Sequence, residues 1–304
     1  MHTPALVVPP LTPFTSDLEV DLQALQRGVE YVVTECRATM VVAAGVEAQE
    51  YQYLSAEQRL DLIDRTIEFV DGRRPVVVGV SHPSFKQTIE LAQHAESRGA
   101  HGIQLLAPLR PFGGQPTTRD LVAYFEAVTA ETSLPVMLYL NPASGAELSI
   151  PTTVELSRLD GVAYVKESSR DLARVSRLIV EIEDPGHAHY FTTMQMLLIS
   201  LQLGGSGVTL PPPAAKLANM VVTAFAEGKL DEAARLQRQF ALFPSRWMHH
   251  GLPTVMKAAA QLLGVPAGEP YPPYRPIGGD ELGELRAYLS TTDLALDLVP
   301  EKET

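Results

Sequence analysis

Short apolar runs alternate along the chain with longer stretches whose apolar residues recur at helical spacing. The apolar runs have the length and β-branched composition of strands, and they are Leu6–Val8, Met40–Ala44, Pro75–Val80, Gly102–Leu106, Pro135–Leu140, Val162–Lys166, Tyr190–Thr192 and Gly207–Leu210. Helical patterns lie between them, near residues 21–36, 55–70, 84–98, 117–131, 151–158, 171–183, 194–203 and 213–227. This succession of strand–helix pairs predicts a parallel sheet closed into a (β/α)8 TIM barrel.

The pattern changes after residue 227, where the strand-like runs stop. Further helices are predicted over Leu230–Leu242, Pro253–Leu263 and Asp280–Thr291. Residues 266–276 are rich in proline, which predicts an irregular, extended arm. We therefore expect a barrel over residues 1–227 that carries the active site, and a C-terminal helical domain over residues 228–304.

Composition narrows the function classes. The 304 residues carry a formal net charge of −12, which disfavours binding to nucleic acid or to an anionic membrane surface. Cys36 is the only cysteine, so an intrachain disulfide is excluded. The N-terminus lacks a signal-peptide pattern, and no apolar segment approaches the roughly 20 residues of a membrane span. We therefore expect a cytoplasmic protein.

One lysine closes a strand-like run. Lys166 directly follows Val162–Val165, and none of the other lysines follows such a run. Active sites of (β/α)8 barrels form at the C-terminal ends of the strands, so its side chain is expected in the barrel mouth. Burial there disfavours the charged amine, and a neutral amine can attack a carbonyl to form a Schiff base. The alternative is a salt-bridged loop lysine, and the position at a strand end favours catalysis.

Tyr139 has a matching position near the end of the preceding strand-like run. Its phenol could relay protons during imine formation and carbon–carbon cleavage, although a half-buried structural tyrosine is the plainer interpretation. Other strand ends supply the predicted substrate-binding residues, which are Glu47, Ala48, Arg110, Asn141, Ser168 and Thr209. Glu47 could equally be a solvated loop charge. Arg110 could hold a substrate carboxylate or cap a helix.

The sequence contains no motif for a metal or a nucleotide cofactor. His249 and His250 are adjacent, and neighbours on a helix do not share a face. The segment Gly204-Gly205-Ser206-Gly207 precedes a strand rather than a helix, which favours a helix-ending turn over a phosphate site. We therefore expect no metal and no cofactor. Because a Schiff base forms between an amine and a carbonyl, the expected substrate is a small carbonyl compound.

Several segments resemble the dihydrodipicolinate synthase / N-acetylneuraminate lyase family of class I aldolases, over nearly the whole chain. The similar segments are Thr12-Pro13-Phe14, Glu50–Arg59, Leu138–Pro142, Val165–Ser169, Leu203–Val208 and Leu252–Ala259. The resemblance implies a (β/α)8 barrel with a C-terminal helical domain, assembled as a homotetramer or homodimer. It also implies an imine between Lys166 and a 2-oxo acid, with Tyr139 as the acid/base and no cofactor.

The chain departs from this family after strand two. The family usually has Gly-Thr-Thr-Gly-Glu there. This chain reads Val-Glu-Ala-Gln-Glu over residues 46–50 if it is aligned on Glu50, or Gly-Val-Glu-Ala-Gln over residues 45–49 if it is aligned on Gly45, and in both alignments the two hydroxyls are missing. Arg110 stands where the synthases carry a tyrosine, and residues 143–145 lack their arginine. These differences exclude the synthase activity itself. They predict a divergent Schiff-base lyase, an aldolase or dehydratase acting on a 2-oxo acid or related carbonyl compound, with Glu47 and Arg110 recognising or polarising the substrate.

Two alternatives remain open from the sequence. One is a barrel that binds a small molecule without catalysis, which the altered segment after strand two favours and Lys166 disfavours. The other is an enzyme that forms the imine but runs a condensation or a decarboxylation.

Overall fold

The computed structural model describes residues 4–46, 48–108 and 114–300. Parallel strands close into a barrel in sequence order, and they are β1 (Ala5–Val8), β2 (Met40–Ala43), β3 (Val76–Gly79), β4 (Gly102–Leu106), β5 (Val136–Leu140), β6 (Val162–Glu167), β7 (His189–Thr192) and β8 (Gly207–Thr209). The barrel closes where β1 pairs with β8. The predicted (β/α)8 fold is therefore confirmed, and each strand limit falls within about one residue of its predicted position.

The helices between the strands also follow the predicted pattern. They are α1 (Leu22–Thr34), α2 (Ala56–Val70), α3 (Phe85–Ser97), α4 (Thr118–Thr129), α5 (Ile150–Ser157), α6 (Leu172–Leu178), α7 (Leu197–Gln202) and α8 (Ala214–Ala226). Helix α6 continues into a π-helical turn over Ile179–Glu183. The capping boxes at Ser55 and Thr117 form both of their reciprocal hydrogen bonds.

The chain after residue 227 is helical. It contains α9 (Leu230–Gln237), α10 (Leu252–Leu262) and α11 (Gly279–Leu289), with 3-10 helices over Arg238–Phe240, Ser245–His250 and Ala295–Asp297. The proline-rich segment 266–276 has no helix, and Glu269 forms an isolated bridge with Phe14. The end of α8 matches the predicted boundary, while the division into two domains stays a prediction.

The membrane question has one structural answer. None of the helices within the described ranges combines the length and the apolar composition that crossing a bilayer requires.

Inward-facing residues fill the barrel in layers. Val7, Val42, Met137 and Phe191 form one buried apolar cluster inside the barrel. Because side chains alternate along a strand, the inward rows of β5 and β6 next reach Tyr139 and Lys166. The apolar layer therefore closes the barrel beneath these two residues, which lie toward the C-terminal ends of the strands.

The glycine-rich segment 204–207 is the turn between α7 and β8. Gly204 has a φ of 98°, which an L side chain rarely adopts. A Cβ on Gly207 would lie 2.0 Å from the backbone oxygen of Ala5, so glycine allows β8 to approach β1. The turn enters the N-terminal end of β8, which is the barrel end opposite Lys166.

Candidate active site

Lys166 and Tyr139 are neighbours on adjacent strands. Their Cα atoms are register partners between β5 and β6, and Lys166 Nζ lies 3.5 Å from the centroid of the Tyr139 ring. Only 5% of Lys166 and 2% of Tyr139 is exposed. Lys166 Nζ donates a hydrogen bond to Ser168 Oγ at 2.7 Å. The structure thus brings together the lysine, the tyrosine and the serine that the sequence predicts for the site.

The phenol of Tyr139 is held by the residue that follows β5. Asn141 Nδ2 donates to Tyr139 Oη at 2.8 Å, and Asn141 is itself buried. In this bond the phenol oxygen of Tyr139 is the acceptor. Asn141, predicted as a substrate-binding residue, therefore contacts the predicted acid/base in this structure.

A cavity of about 40 Å³ lies against both side chains. Its walls include Ala48 after β2, Gln104 on β4 and Thr209 at the end of β8. Three residues that the sequence predicts for the site thus converge on Lys166. They are Ala48 after β2, Tyr139 on β5 and Thr209 at the end of β8. The space beside Lys166 suits the small reactive end of a substrate, such as a carbonyl with its carboxylate.

Thr209 supplies a hydroxyl that has no hydrogen-bond partner among the described residues. Its Oγ1 is buried and forms no hydrogen bond with any described residue. A buried hydroxyl without a partner is unfavourable, because it has lost its hydrogen bonds to water. The hydroxyl is therefore available to a ligand in the cavity, and the contact of Thr209 with substrate stays a prediction. Ala48 lines the same cavity but carries no side-chain donor.

The segment between β2 and α2 is fixed by buried hydrogen bonds. Thr12 Oγ1 donates to the backbone oxygen of Gln49 at 2.6 Å. Gln49 Oε1 accepts from the backbone N–H of Gly45 at 3.0 Å. The first bond joins Gln49 to the segment that follows β1, and the second joins Gly45 to Gln49, so the backbone is held on both sides of Ala48.

A buried ion pair joins this segment to the C-terminal helices. Lys257 Nζ lies 2.6 Å from Glu50 Oε2, and it donates a hydrogen bond to the backbone oxygen of Glu269 at 2.9 Å. Both side chains are at most 2% exposed. Burial lowers the pKa of Lys257, and the nearby Glu50 opposes this decrease. Nothing in the sequence pattern signals that these two residues pair.

Glu167 anchors β6 on the outer side of the barrel. Its carboxylate forms an ion pair with Arg174 of α6 and accepts a hydrogen bond from Tyr190 Oη at 2.8 Å. Burial, reinforced by the charge of Glu167, raises the pKa of Tyr190. The residue next to Lys166 thus ties its strand to α6 and β7.

Two of the predicted residues lie outside the part of the chain that the structure describes, and the cavity walls include residues that the sequence analysis did not identify. Glu47 and Arg110 are outside the described residues, so their contact with substrate stays a prediction. The sequence analysis did not identify Gln104, whose Nε2 donates to Met137 Sδ at 3.4 Å. A single polar residue inside the apolar run Gly102–Leu106 is the signal that could have found it.

A much larger cavity, of about 990 Å³, lies outside the barrel between α2, α3 and α4. We call it the helix groove; its walls include Tyr51, Arg59, Phe85 and Tyr124. The Arg59 guanidinium is buried over the Tyr51 ring, 3.7 Å from its centroid, and burial lowers the Arg59 pKa to about 10. Lys166 is absent from the walls of the groove, so cavity volume does not locate the predicted chemistry.

The sequence argument about the adjacent histidines was wrong. His249 and His250 both contact Glu281 of α11. The rule that neighbours do not share a face holds within a continuous helix. Here the 3-10 helix ends at His250, and Gly251 follows with a φ of 87°.

Known proteins are similar to this chain over nearly its whole length. The family model described as the dihydrodipicolinate synthetase family matches residues 3–292. The 4-hydroxy-tetrahydrodipicolinate synthase 1 of Halalkalibacterium halodurans is 28% identical over 288 residues, covering 94% of this chain and 96% of the relative. The 4-hydroxy-tetrahydrodipicolinate synthase of Methanosphaerula palustris is 30% identical over 296 residues, covering 95% and 98%.

Solved structures give the same result. A putative dihydrodipicolinate synthetase from Pseudomonas aeruginosa has a TM-score of 0.86 at 27% identity, with 94% of this chain and 98% of the other covered. A prophage protein of the dihydrodipicolinic acid synthase family from E. coli, solved in complex with pyruvate, has a TM-score of 0.87 at 25% identity, with 96% and 99% covered.

Proposed function

The chain belongs to the dihydrodipicolinate synthetase family, and from this premise we propose that Lys166 and Tyr139 carry out its chemistry. The protein is a Schiff-base lyase of the class I aldolase type, which acts on a 2-oxo acid or related carbonyl substrate through a lysine imine. The observation that supports the residue assignment is the buried amine of Lys166, 3.5 Å from the Tyr139 ring and beside a cavity.

The first step joins the lysine to the substrate. Lys166 Nζ, unprotonated, attacks the carbonyl carbon at C2 and forms a carbinolamine. The phenol of Tyr139 donates a proton to the departing hydroxyl, water leaves, and a protonated imine remains. Ser168 Oγ, which accepts from Nζ at 2.7 Å, orients the amine for this attack.

The imine then weakens a bond at the neighbouring carbon. In an aldolase, a base takes the proton of the substrate C4 hydroxyl, the C3–C4 bond breaks, and its electron pair forms an enamine on the lysine. In a dehydratase, C3 loses a proton and the C4 hydroxyl leaves as water. In the aldolase, C3 of the enamine is then protonated. In both reactions water hydrolyses the imine, which returns the free lysine and releases the 2-oxo acid product.

The substrate carboxylate needs donors beside Lys166. Thr209 Oγ1, buried without a partner among the described residues, supports its assignment as one donor. Backbone N–H groups near Ala48 are the proposed replacement for the hydroxyls that this chain lacks after β2. Glu47 and Arg110 then recognise or polarise the rest of the substrate. Pyruvate is the 2-oxo acid that we propose forms the imine with Lys166. Its presence in the solved complex of the related E. coli prophage protein supports this choice.

We also propose that the protein assembles as a homodimer or homotetramer through the helix groove. The groove combines large volume with aromatic walls, and Phe85 is 40% exposed there. Exposed apolar surface of this kind marks interaction sites. A second copy of the chain is the occupant that family membership favours.

Deuterium exchange tests the imine without knowledge of the second substrate. Formation of the enamine removes a C3 proton, so the protein should accelerate exchange of the pyruvate methyl protons with D2O, followed by proton NMR. Lys166→Ala should abolish this acceleration. Exchange that is equally fast with native protein and with Lys166→Ala would contradict the assignment.

A further inference from the structure

Away from the Lys166 site, two imidazoles meet one carboxylate. His249 Nε2 lies 3.0 Å from Glu281 Oε1, and His250 Nε2 lies 2.9 Å from Glu281 Oε2. Each residue offers a ligating atom within 4.8 Å of those of the other two. Across residues 4–46, 48–108 and 114–300, no other group of three or more His, Cys, Asp or Glu side chains meets this spacing.

Two backbone elements hold the cluster. His249 and His250 close the 3-10 helix before α10, whereas Glu281 lies in the first turn of α11. The two rings lie 4.2 Å apart between centroids, at an interplanar angle of 39°. Because the ligating atoms are already close, rotation of side chains is enough to direct all three at one point.

The charges around the cluster favour a cation. Arg246, on the same 3-10 helix, is paired with Glu284 at 2.7 Å. Within the described ranges, no lysine or arginine forms an ion pair with Glu281. Its carboxylate is therefore not neutralised by a fixed cation.

We propose that His249, His250 and Glu281 bind one divalent transition-metal ion, of which Zn²⁺ is the representative. Imidazole nitrogen and carboxylate oxygen are preferred zinc ligands, at distances of about 2.0–2.2 Å. Each ring binds the ion through Nε2 while neutral, with its N–H on Nδ1. With three protein ligands, a water molecule completes a tetrahedral site. The side chains of His249 and Glu281 are 59% and 47% exposed, so solvent reaches the ion.

The ion would act as a cross-link. It would join the 3-10 helix Ser245–His250 to α11 and stabilise the C-terminal helices, without taking part in the chemistry at Lys166. The other histidine–carboxylate contacts differ because each has a single imidazole. An exposed example is the contact between His189 Nδ1 and Glu183, at 3.1 Å.

The test uses the full chain without a histidine tag, stripped of metals and titrated with ZnCl2 by isothermal titration calorimetry. The expected result is one Zn²⁺ per chain and a higher Tm at saturating Zn²⁺. His250→Asn and Glu281→Gln should each weaken binding at least tenfold and remove the increase in Tm. The control His189→Gln, which removes the imidazole of a simple pair, should bind Zn²⁺ like the native chain.

Circular dichroism of each variant verifies that it is folded, since all three substitutions are at partly exposed positions. X-ray absorption of the zinc-loaded native chain gives an independent readout, with imidazole scattering and a first shell of nitrogen and oxygen. Absence of binding up to about 1 mM Zn²⁺ would overturn the proposal. Unchanged affinity in both His250→Asn and Glu281→Gln would also overturn it, because the ion would then lie elsewhere.

Discussion

Lys166 Nζ lies over the face of the Tyr139 ring, 3.5 Å from the ring centroid. The ring face is electron-rich and attracts cations. A protonated imine at Nζ is a cation, so the ring stabilises the intermediate while the hydroxyl, at the ring edge, moves protons. The two roles of Tyr139 can therefore be separated by mutation.

Tyr139→Phe should form the imine more slowly and lose turnover. The phenyl ring still faces Nζ, but general acid–base catalysis disappears, which lowers kcat by about 10²–10⁴-fold. The matched control is Tyr164→Phe, on β6 in the apolar layer beneath the site. Steady-state kinetics should separate the two variants, and an unchanged kcat in Tyr139→Phe would remove the phenol from the mechanism.

Thr209→Val should weaken substrate binding at nearly constant volume. Loss of a hydrogen bond to a charged carboxylate costs about 1.5–3 kcal/mol, so kcat/KM should decrease at least tenfold. Thr192→Val is the matched control, because Thr192 Oγ1 is also buried without a partner among the described residues but does not line the cavity. Equal effects of the two substitutions would contradict a direct contact between Thr209 and substrate.

Glu50→Gln should destabilise the fold. It leaves the Lys257 ammonium buried without its counter-ion, which costs about 3–5 kcal/mol in free energy of unfolding. The double variant Glu50→Gln, Lys257→Met removes both charges and should recover most of this loss. Urea denaturation gives the free energy of unfolding of the native chain, the single variant and the double variant. A Glu50→Gln protein as stable as the native chain would show that the ion pair does not stabilise the fold.

The same variant should depend on pH in a defined direction. Burial lowers the pKa of Lys257 in the folded state, and without Glu50 it falls further from the ordinary value of 10.5. Between the folded and unfolded pKa values the unfolded chain binds more protons, so stability rises with pH. The deficit of Glu50→Gln relative to the native chain should therefore shrink as the pH is raised toward 10.5. A constant deficit would mean that Lys257 is not the cause.

Phe85→Glu should disrupt the proposed assembly. It places a charge on the aromatic wall of the helix groove, whereas Leu172→Glu makes the same change outside it. Both residues are exposed and begin a helix, α3 and α6 respectively, which makes the pair well matched. Light scattering coupled to size-exclusion chromatography measures the molar mass. The native chain and Leu172→Glu should be oligomers, and Phe85→Glu should be a monomer. A monomeric native chain would contradict the proposal.

Local sequence patterns predict most of the fold and also the central pair of the site, Lys166 and Tyr139. Strand and helix limits follow apolar periodicity, and Lys166 and Tyr139 are predicted together because the ends of parallel strands share one edge. The Glu50–Lys257 pair has no such signal, since only the path of residues 266–276 and the packing of α10 bring its members together. The His249–His250 prediction failed because a rule for continuous helices was applied at a helix end. Glu47 and Arg110 stay predictions.

The central claim is that one amine, that of Lys166, captures the substrate covalently. Native protein treated with pyruvate and sodium borohydride, digested and measured by mass spectrometry, tests it most directly. The account predicts one reduced adduct per chain, on the peptide that contains Lys166, and none in Lys166→Met. An adduct on a different lysine, or none under conditions in which the protein exchanges the pyruvate methyl protons, would contradict it.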